Sequence, residues 1–215
     1  MKNSKINTKK LVGIAVFAAL AFGVTLVFRI PVSFLTFDAK DAILVVASFI
    51  YGPVAAVLMS LIISILEISI SDTAVIGAIM NFVSSAAFAG VASLIYKKKR
   101  TFNGALIGLF TSVAVTTGLM MLMNILITPF YMGVDRSVVI SMLPTVLLPF
   151  NFAKTLMNGA IAMLIYKPVA VALRRAKLVD GKPMDTKFGK QSIITIIVGT
   201  LSLAVAITVF IILNT

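Results

Sequence analysis

Long apolar runs without charge dominate this sequence, and each is close to the length that crosses a lipid bilayer. The last run, residues 192–213, contains no charged residue. A helix needs about 20 apolar residues to cross the ~30 Å hydrocarbon core of a bilayer. Apolar side chains make up 60% of the 215 residues and charged side chains only 12%, whereas soluble proteins average roughly 45–50% and about 25%. The sequence therefore predicts an all-α, polytopic membrane helix bundle and excludes an ordinary soluble globule.

One apolar stretch, residues 42–70, is long enough for two helices and contains Gly52 followed by Pro53. Because proline lacks an N–H and suits the first turn of a helix, we predict that a new helix begins at Pro53. The preceding helix, from about residue 40 to residue 51, is too short to cross the ~30 Å core alone, so we expect its neighbours to shelter it. The sequence thus predicts seven spans, in the stretches 11–28, 42–70 (two spans), 75–96, 104–127, 138–166 and 192–213.

The basic residues agree with this topology. Lys and Arg number 19 against 7 Asp and Glu, and they concentrate before residue 11, at residues 97–100 and between residues 167 and 190. With two crossings between residues 42 and 70, these clusters all lie on one side, as the bias of Lys and Arg toward the cytoplasm requires. We predict a multi-pass membrane protein with a cytoplasmic N-terminus. The expected organisation is a membrane domain at 1–175, a basic cytoplasmic linker at 176–191 and an additional transmembrane helix at 192–215.

Several chemistries are excluded by composition. The sequence contains no Cys and no His, so it lacks thiolate nucleophiles, imidazole bases and the usual zinc ligands. A phosphate-binding loop of the GxxxxGK[ST] type is absent, since Gly189-Lys190 is followed by Gln191. We therefore predict no catalytic residue, no metal site, no cofactor and no nucleic-acid partner. Energy for any transport must come from another subunit.

Polar residues within the predicted spans fall on single helix faces. In the sixth span Asn151, Lys154 and Asn158 share one face, because residues three, four and seven apart align on a helix. An ammonium in the middle of a span costs about 2.5–3.5 kcal/mol and usually marks a substrate or ion path. Lys154 is therefore the strongest local signal. Similar stripes in the preceding spans contribute further candidates, namely Glu67, Asn81 and Asn124, whereas the accompanying Ser and Thr residues are typical of hydrogen bonds between helices.

The first span carries small residues at Ala15 and Ala19, four positions apart. This spacing lets another helix approach closely. The partner helix can belong to the same chain or to another protein, and the spacing alone does not decide between them.

Three segments resemble a known family. They are residues 34–53 (FLTFDAKDAILVVASFIYGP), 70–81 (ISDTAVIGAIMN) and 149–168 (PFNFAKTLMNGAIAMLIYKP). Together they are similar to the riboflavin-specific substrate-binding subunits, or S components, of energy-coupling-factor (ECF) transporters, and the resemblance covers about residues 10 to 175. It implies a six-helix core that binds the vitamin near its outer side. The predicted seventh span departs from that pattern.

The resemblance also implies roles for individual residues. Asn151, Lys154 and Asn124 would contact the vitamin, and a lid after the first helix would include Thr36, Phe37 and Asp38. Ala15 and Ala19 would dock on the transmembrane coupling subunit, which acts with two ATPase subunits. Riboflavin, FMN or a related flavin would be a transported substrate and not a cofactor, and the protein would lie in the cell (plasma) membrane of a bacterium.

The residue chemistry suits such a ligand. An isoalloxazine ring has a broad apolar face and an imide edge with alternating acceptors and a donor, which an Asn amide complements because it offers both. Asn158, Asn81 and Glu67 are candidates for the ribityl hydroxyls. Two alternatives remain open at this point: an S component for another vitamin, and a proton-coupled secondary carrier that uses Glu67 with Lys154.

Overall fold

We analysed a computed structural model, which describes residues 8–32, 34–71, 73–178 and 189–214. The chain forms a helix bundle with one small hairpin. Its elements, in chain order, are α1 (Thr8–Val27), β1 (Arg29–Val32), β2 (Leu35–Asp38), α2 (Lys40–Tyr51), α3 (Pro53–Glu67), α4 (Ala74–Lys98), α5 (Phe102–Met132), α6 (Arg136–Met142), a π-helical turn (Leu143–Leu147), α7 (Leu148–Arg175) and α8 (Lys190–Asn214).

The helical membrane bundle predicted from composition is confirmed. Within the described residues, five helical segments are long and apolar enough to cross a membrane, and the shorter α3 is also apolar. One of them runs from Arg136 to Arg175 and joins α6, the π-helical turn and α7. Pro144 lies in that turn, where its missing N–H prevents a regular helical hydrogen bond. The last of them, Lys190–Leu213, is the seventh span predicted from the sequence.

The break at Gly52-Pro53 is also confirmed. Gly52 has φ 96°, a conformation that favours glycine, and Pro53 is the first residue of α3. The short helix α2 lies in the bundle core, where Ala42, Leu44 and Val45 have no exposed surface. At 1.5 Å per residue its 12 residues span ~18 Å, so α2 depends on the surrounding helices for shelter, as the sequence predicts.

The segment after α1 forms an antiparallel β-hairpin, which the all-α prediction does not include. Arg29 pairs with Asp38 and Val32 pairs with Leu35. Only four residues form each strand, too few for an apolar pattern to reveal in the sequence. The hairpin lies where the resemblance places a lid.

Helix α8 packs antiparallel to α7. Ser192, near the beginning of α8, accepts a hydrogen bond from Lys167 Nζ at 3.2 Å. At Gly199 the two helices come so close that an added Cβ would lie 2.9 Å from Leu164 Cδ2. Residues 179–188 of the predicted linker lie outside the described residues, and the division into three segments stays a prediction.

Candidate substrate cavity

A cavity of about 420 Å³ lies between the hairpin and helices α3, α4, α5 and α7. Apolar side chains, among them Phe34, Met80 and Phe150, form part of its wall. The polar residues of the wall come from every surrounding element, and they are Thr25, Arg29, Thr36, Asp38, Glu67, Ser71, Thr73, Asn81, Ser84, Asn124, Thr128, Tyr131, Asn151 and Lys154. A concave site that combines apolar side chains with convergent polar groups is typical of small-molecule binding.

Lys154 links α7 to the hairpin. Its Nζ lies 2.8 Å from Asp38 Oδ2 and donates to the Thr36 carbonyl oxygen at 3.0 Å. Burial by itself would raise the pKa of Asp38, but the ammonium groups of Lys154 and Lys40 more than offset burial and lower it. Asp38 is therefore a carboxylate at neutral pH. The predicted site lysine thus forms a buried ion pair with the predicted lid.

A second buried ion pair joins α2 to α3. Lys40 Nζ contacts Glu67 Oε1, and the other carboxylate oxygen of Glu67 accepts a hydrogen bond from Asn81 Nδ2 at 2.9 Å. Lys40 Nζ also lies 3.9 Å from Asp38 Oδ2, so the two ion pairs form one network. Because Glu67 pairs with Lys40 and Lys154 pairs with Asp38, the Glu67–Lys154 couple of a secondary carrier is not formed.

Two amides on the wall are oriented by their own helices. Asn151 Nδ2 donates to the Leu147 carbonyl at 2.8 Å, and Asn124 Nδ2 donates to the Met120 carbonyl at 2.7 Å. Thr128 Oγ1 donates to Asn124 Oδ1 at 2.8 Å. An Asn amide has two N–H groups and a carbonyl oxygen with two lone pairs. Each amide therefore keeps at least one donor and one acceptor site for a ligand.

Two of the predicted site residues lie outside the cavity wall. Asn158 is fully buried; its amide accepts from the Ala42 N–H at 2.8 Å and donates to the Asp38 carbonyl at 2.8 Å. It therefore fixes the junction between β2 and α2. Phe37 points away from the cavity and packs on Phe150. Strand alternation explains this position, since Thr36 and Asp38 occupy the opposite side of the strand.

Several residues of this region were not predicted from the sequence. Arg29 lines the cavity and donates to the Ile70 carbonyl oxygen, and Tyr131 lines its opposite side from α5. Lys40 and Asp41 are buried, with Asp41 accepting a hydrogen bond from Ser85. A usable signal existed for Arg29 and Lys40, because both are basic residues outside the predicted cytoplasmic clusters.

One carboxylate oxygen of this network lacks a hydrogen-bond partner among the described residues. The atom is Asp38 Oδ1, which is buried, while Asp38 itself lines the cavity. A buried acceptor without a partner is costly.

The predicted docking residues lie on the outer surface of the bundle. Ala15 and Ala19 are exposed, whereas Ala18 and Ala21 of the same helix are buried. Packing within the chain therefore does not explain the small residues at Ala15 and Ala19. The surface that they form is open to a second protein.

Fold and cavity together define a membrane-embedded helix bundle with a cavity of small-molecule size, and comparison with known families identifies its class. A family model described as "ECF transporter, substrate-specific component" matches residues 9–170. The chain belongs to this family. It is therefore a transporter subunit of a bacterial cell membrane and not an enzyme.

Similar proteins carry more specific names. The chain is 30% identical over 177 residues to "Riboflavin transporter RibU" of Staphylococcus aureus (strain TCH60), a match that covers 78% of this chain and 93% of that one. It is 28% identical over 174 residues to "Riboflavin transporter FmnP" of Bacillus subtilis (strain 168), covering 75% and 92%. A solved structure described as "Structure and mechanism of the S component of a bacterial ECF transporter" superposes with a TM-score of 0.68 at 28% identity, covering 79% of this chain and 100% of that one.

Proposed function

We propose that this chain is the high-affinity riboflavin-binding subunit of an ECF-type vitamin uptake transporter, energised by separate ATPase subunits. The main support is that Asn124, Asn151 and Lys154 line one cavity. The chain is also similar to two proteins named riboflavin transporters. The cavity volume falls within the ~300–1,000 Å³ of drug-sized ligand sites. Riboflavin is the cargo and not a cofactor.

Within the cavity, the apolar ring system of riboflavin would lie against Phe150 and Met120, which belong to the wall. Asn151 and Asn124 would pair with the imide edge, because each amide offers a donor and an acceptor. Lys154 would donate to an electron-rich oxygen or nitrogen of the ring. Asn81 and Glu67 lie on the wall at the α3–α4 side and would bind the ribityl hydroxyls.

The direct test is the visible absorption spectrum of the purified protein, because retained flavin is yellow. Titration with riboflavin and FMN, followed by quenching of flavin fluorescence, would then rank the two ligands. We expect riboflavin to quench at a stoichiometry near one per chain. A colourless protein that quenches neither flavin would reject the proposed substrate, while a different vitamin that stabilises the protein against heat would establish the alternative.

We further propose that Ala15 and Ala19 dock on the coupling subunit. Both are exposed on α1, and small side chains allow close helix contact. Ala19→Phe should abolish vitamin uptake by the assembled transporter and leave riboflavin binding by the isolated subunit intact. The matched control is Ala114→Phe, which places the same ring at an exposed alanine of α5. Equal loss of uptake in both variants would reject this docking surface.

We also propose a cytoplasmic N-terminus, which places the hairpin and the cavity on the outer side. The support is the positive charge at the other end of the bundle, including Lys97, Lys98 and Arg174. The chain has no native Cys, so a single introduced cysteine is the only residue that a thiol reagent can label. A cysteine at Lys98 should be protected from an impermeant thiol reagent in intact cells, and one at Asp135 should react. The opposite labelling would invert the topology.

A further inference from the structure

Helix α8 extends beyond the residues that define the family, since the family match ends at residue 170. Its contacts with α7 run from Ser192, near Lys167, past Gly199, near Leu164, to Ala206, which is buried in one cluster with Phe150 and Ala153. Because the two helices are antiparallel, the end of α8 arrives where α7 begins. The hairpin lies at that end of the bundle.

The contact between α8 and the hairpin centres on one aromatic ring. Phe37 of β2 is 3% exposed and lies between two other rings, with its centroid 4.8 Å from Phe150 of α7 and 5.2 Å from Phe210 of α8. Both contacts are edge-to-face, at interplanar angles of 77° and 80°. Ala206 of α8 is buried in the same cluster.

The position of Phe37 determines the position of the cavity wall. Neighbouring residues of a strand point to opposite sides, so the contact that fixes Phe37 also fixes Thr36 and Asp38. These two residues line the cavity and hold Lys154. A hairpin of two four-residue strands is marginal by itself and depends on what packs behind it.

We propose that Phe210 is a positioning residue for the substrate cavity and that α8 keeps the hairpin closed over the bound vitamin. Phe150 supports Phe37 from within the family core, and Phe210 supports it from the additional helix. Loss of Phe210 would let the hairpin open more often and shorten the lifetime of the complex. The identity of the bound vitamin, and with it riboflavin as the probe, rests on the proposed function.

The test compares Phe210→Ala with Ile211→Ala in the full chain. Ile211 is the next residue, is 54% exposed and is not part of the apolar cluster around Phe37, so its truncation removes apolar volume from α8 outside that cluster. Dissociation of riboflavin is followed by fluorescence recovery after dilution. An edge-to-face aromatic pair contributes roughly 0.5–1.5 kcal/mol beyond the area that it buries, so we expect release to be about two- to tenfold faster in Phe210→Ala alone.

A second measurement needs no ligand. Amide hydrogen exchange of residues 29–38 in the substrate-free protein should be faster in Phe210→Ala and unchanged in Ile211→Ala. If Phe210→Ala lowers expression, Phe210→Leu keeps most of the apolar volume and removes the ring edge, and it should change both quantities in the same direction by less.

The outcomes separate the inference from the proposed function. Riboflavin release and hairpin exchange that match the wild type in both Phe210 variants would overturn the inference and leave α8 as an additional anchor. Faster exchange without faster release would also overturn it, because the hairpin would then not control the substrate. A wild-type protein that binds no riboflavin would reject the proposed substrate, and the exchange comparison would still decide whether α8 holds the hairpin.

Discussion

The two ends of this helix bundle are built from the same helices and differ in how closely their side chains let those helices approach. We call the end with the hairpin and the cavity the open end, and the end with residues 96–104 the closed end. Near the closed end α4 and α5 are almost in backbone contact, since a Cβ at Gly108 would lie 2.8 Å from the Ala92 carbonyl oxygen. At the open end the same two helices present Asn81 and Asn124 to the cavity. The size of the side chains thus decides where this helix pair is tight and where it leaves room.

The two ends also differ in how they bury polar groups. The open end buries a network of charges that includes Lys40, Asp38 and Lys154. The closed end uses aromatic rings, with Phe49 packed against Tyr96 and Tyr166 and the two Tyr hydroxyl groups 2.6 Å apart. Buried charges form directional contacts that a ligand can join, whereas the two Tyr hydroxyl groups at the closed end bond to each other. Ligand binding is therefore expected at the open end, where the buried ion pairs also contribute to stability, and tight helix packing is expected at the closed end.

The largest expected effect is a loss of stability when Lys40 is removed from the open end. Lys40→Met leaves Glu67 without its cation in a buried site, and breaking one side of a buried ion pair costs about 3–5 kcal/mol. We expect a corresponding loss of unfolding free energy, measured by denaturant titration in detergent micelles. The double variant Lys40→Met/Glu67→Gln should recover part of the loss. If the single and double variants were equally unstable, the network would not be the source of stability at this end.

The next effect concerns ligand affinity. Lys154→Met keeps the apolar stem and removes three donors, so riboflavin binding should weaken by roughly 1.5–3 kcal/mol, or about ten- to a hundredfold. Asn151→Leu should also weaken binding, since a buried imide edge would lose its partner. Fluorescence quenching measures both. The control is Phe152→Leu, at an exposed position of α7, and unchanged affinity in both site variants would remove the site assignment.

Two glycines of α5 test how tightly the closed end is packed. Gly108→Ala forces a Cβ against the backbone of α4, and such overpacking costs typically ~1–3 kcal/mol. Gly118→Ala adds the same methyl group where nothing lies within 4 Å and should be neutral or slightly stabilising, because alanine favours helix more than glycine. Thermal unfolding of the two variants gives the difference directly. Equal midpoints would mean that the closed end is not tightly packed.

The smallest expected effect is at the closed end, in the aromatic cluster of Phe49, Tyr96 and Tyr166. Tyr166→Phe removes the hydrogen bond to Tyr96, which is worth about 0.5–1.5 kcal/mol. We expect a small decrease in thermal stability and unchanged riboflavin affinity, because the cavity wall includes neither residue. A variant with normal stability and weakened binding would show that the two ends are coupled, contrary to the division described above.

The sequence by itself determined the membrane-helical class, the break at Gly52-Pro53, the presence of a seventh apolar helix and the polar face of α7. These features depend on hydrophobicity, on the missing N–H of proline and on the spacing of residues along one helix, all of which act over a few positions. The same local information located Asn151 and Lys154, because an amide and an ammonium among apolar residues are conspicuous.

Only the tertiary structure decided which of these groups meet. Lys154 is 116 residues from Asp38 in the chain, and Glu67 is paired with Lys40, a residue that local patterns had left unassigned. The hairpin, the placement of Asn158 behind the cavity wall and the contact of Phe210 with Phe37 depend on how each helix is rotated against its neighbours. That rotation follows from the packing of many distant side chains at once, so a periodic pattern predicts the polar face of a helix and does not identify its partners.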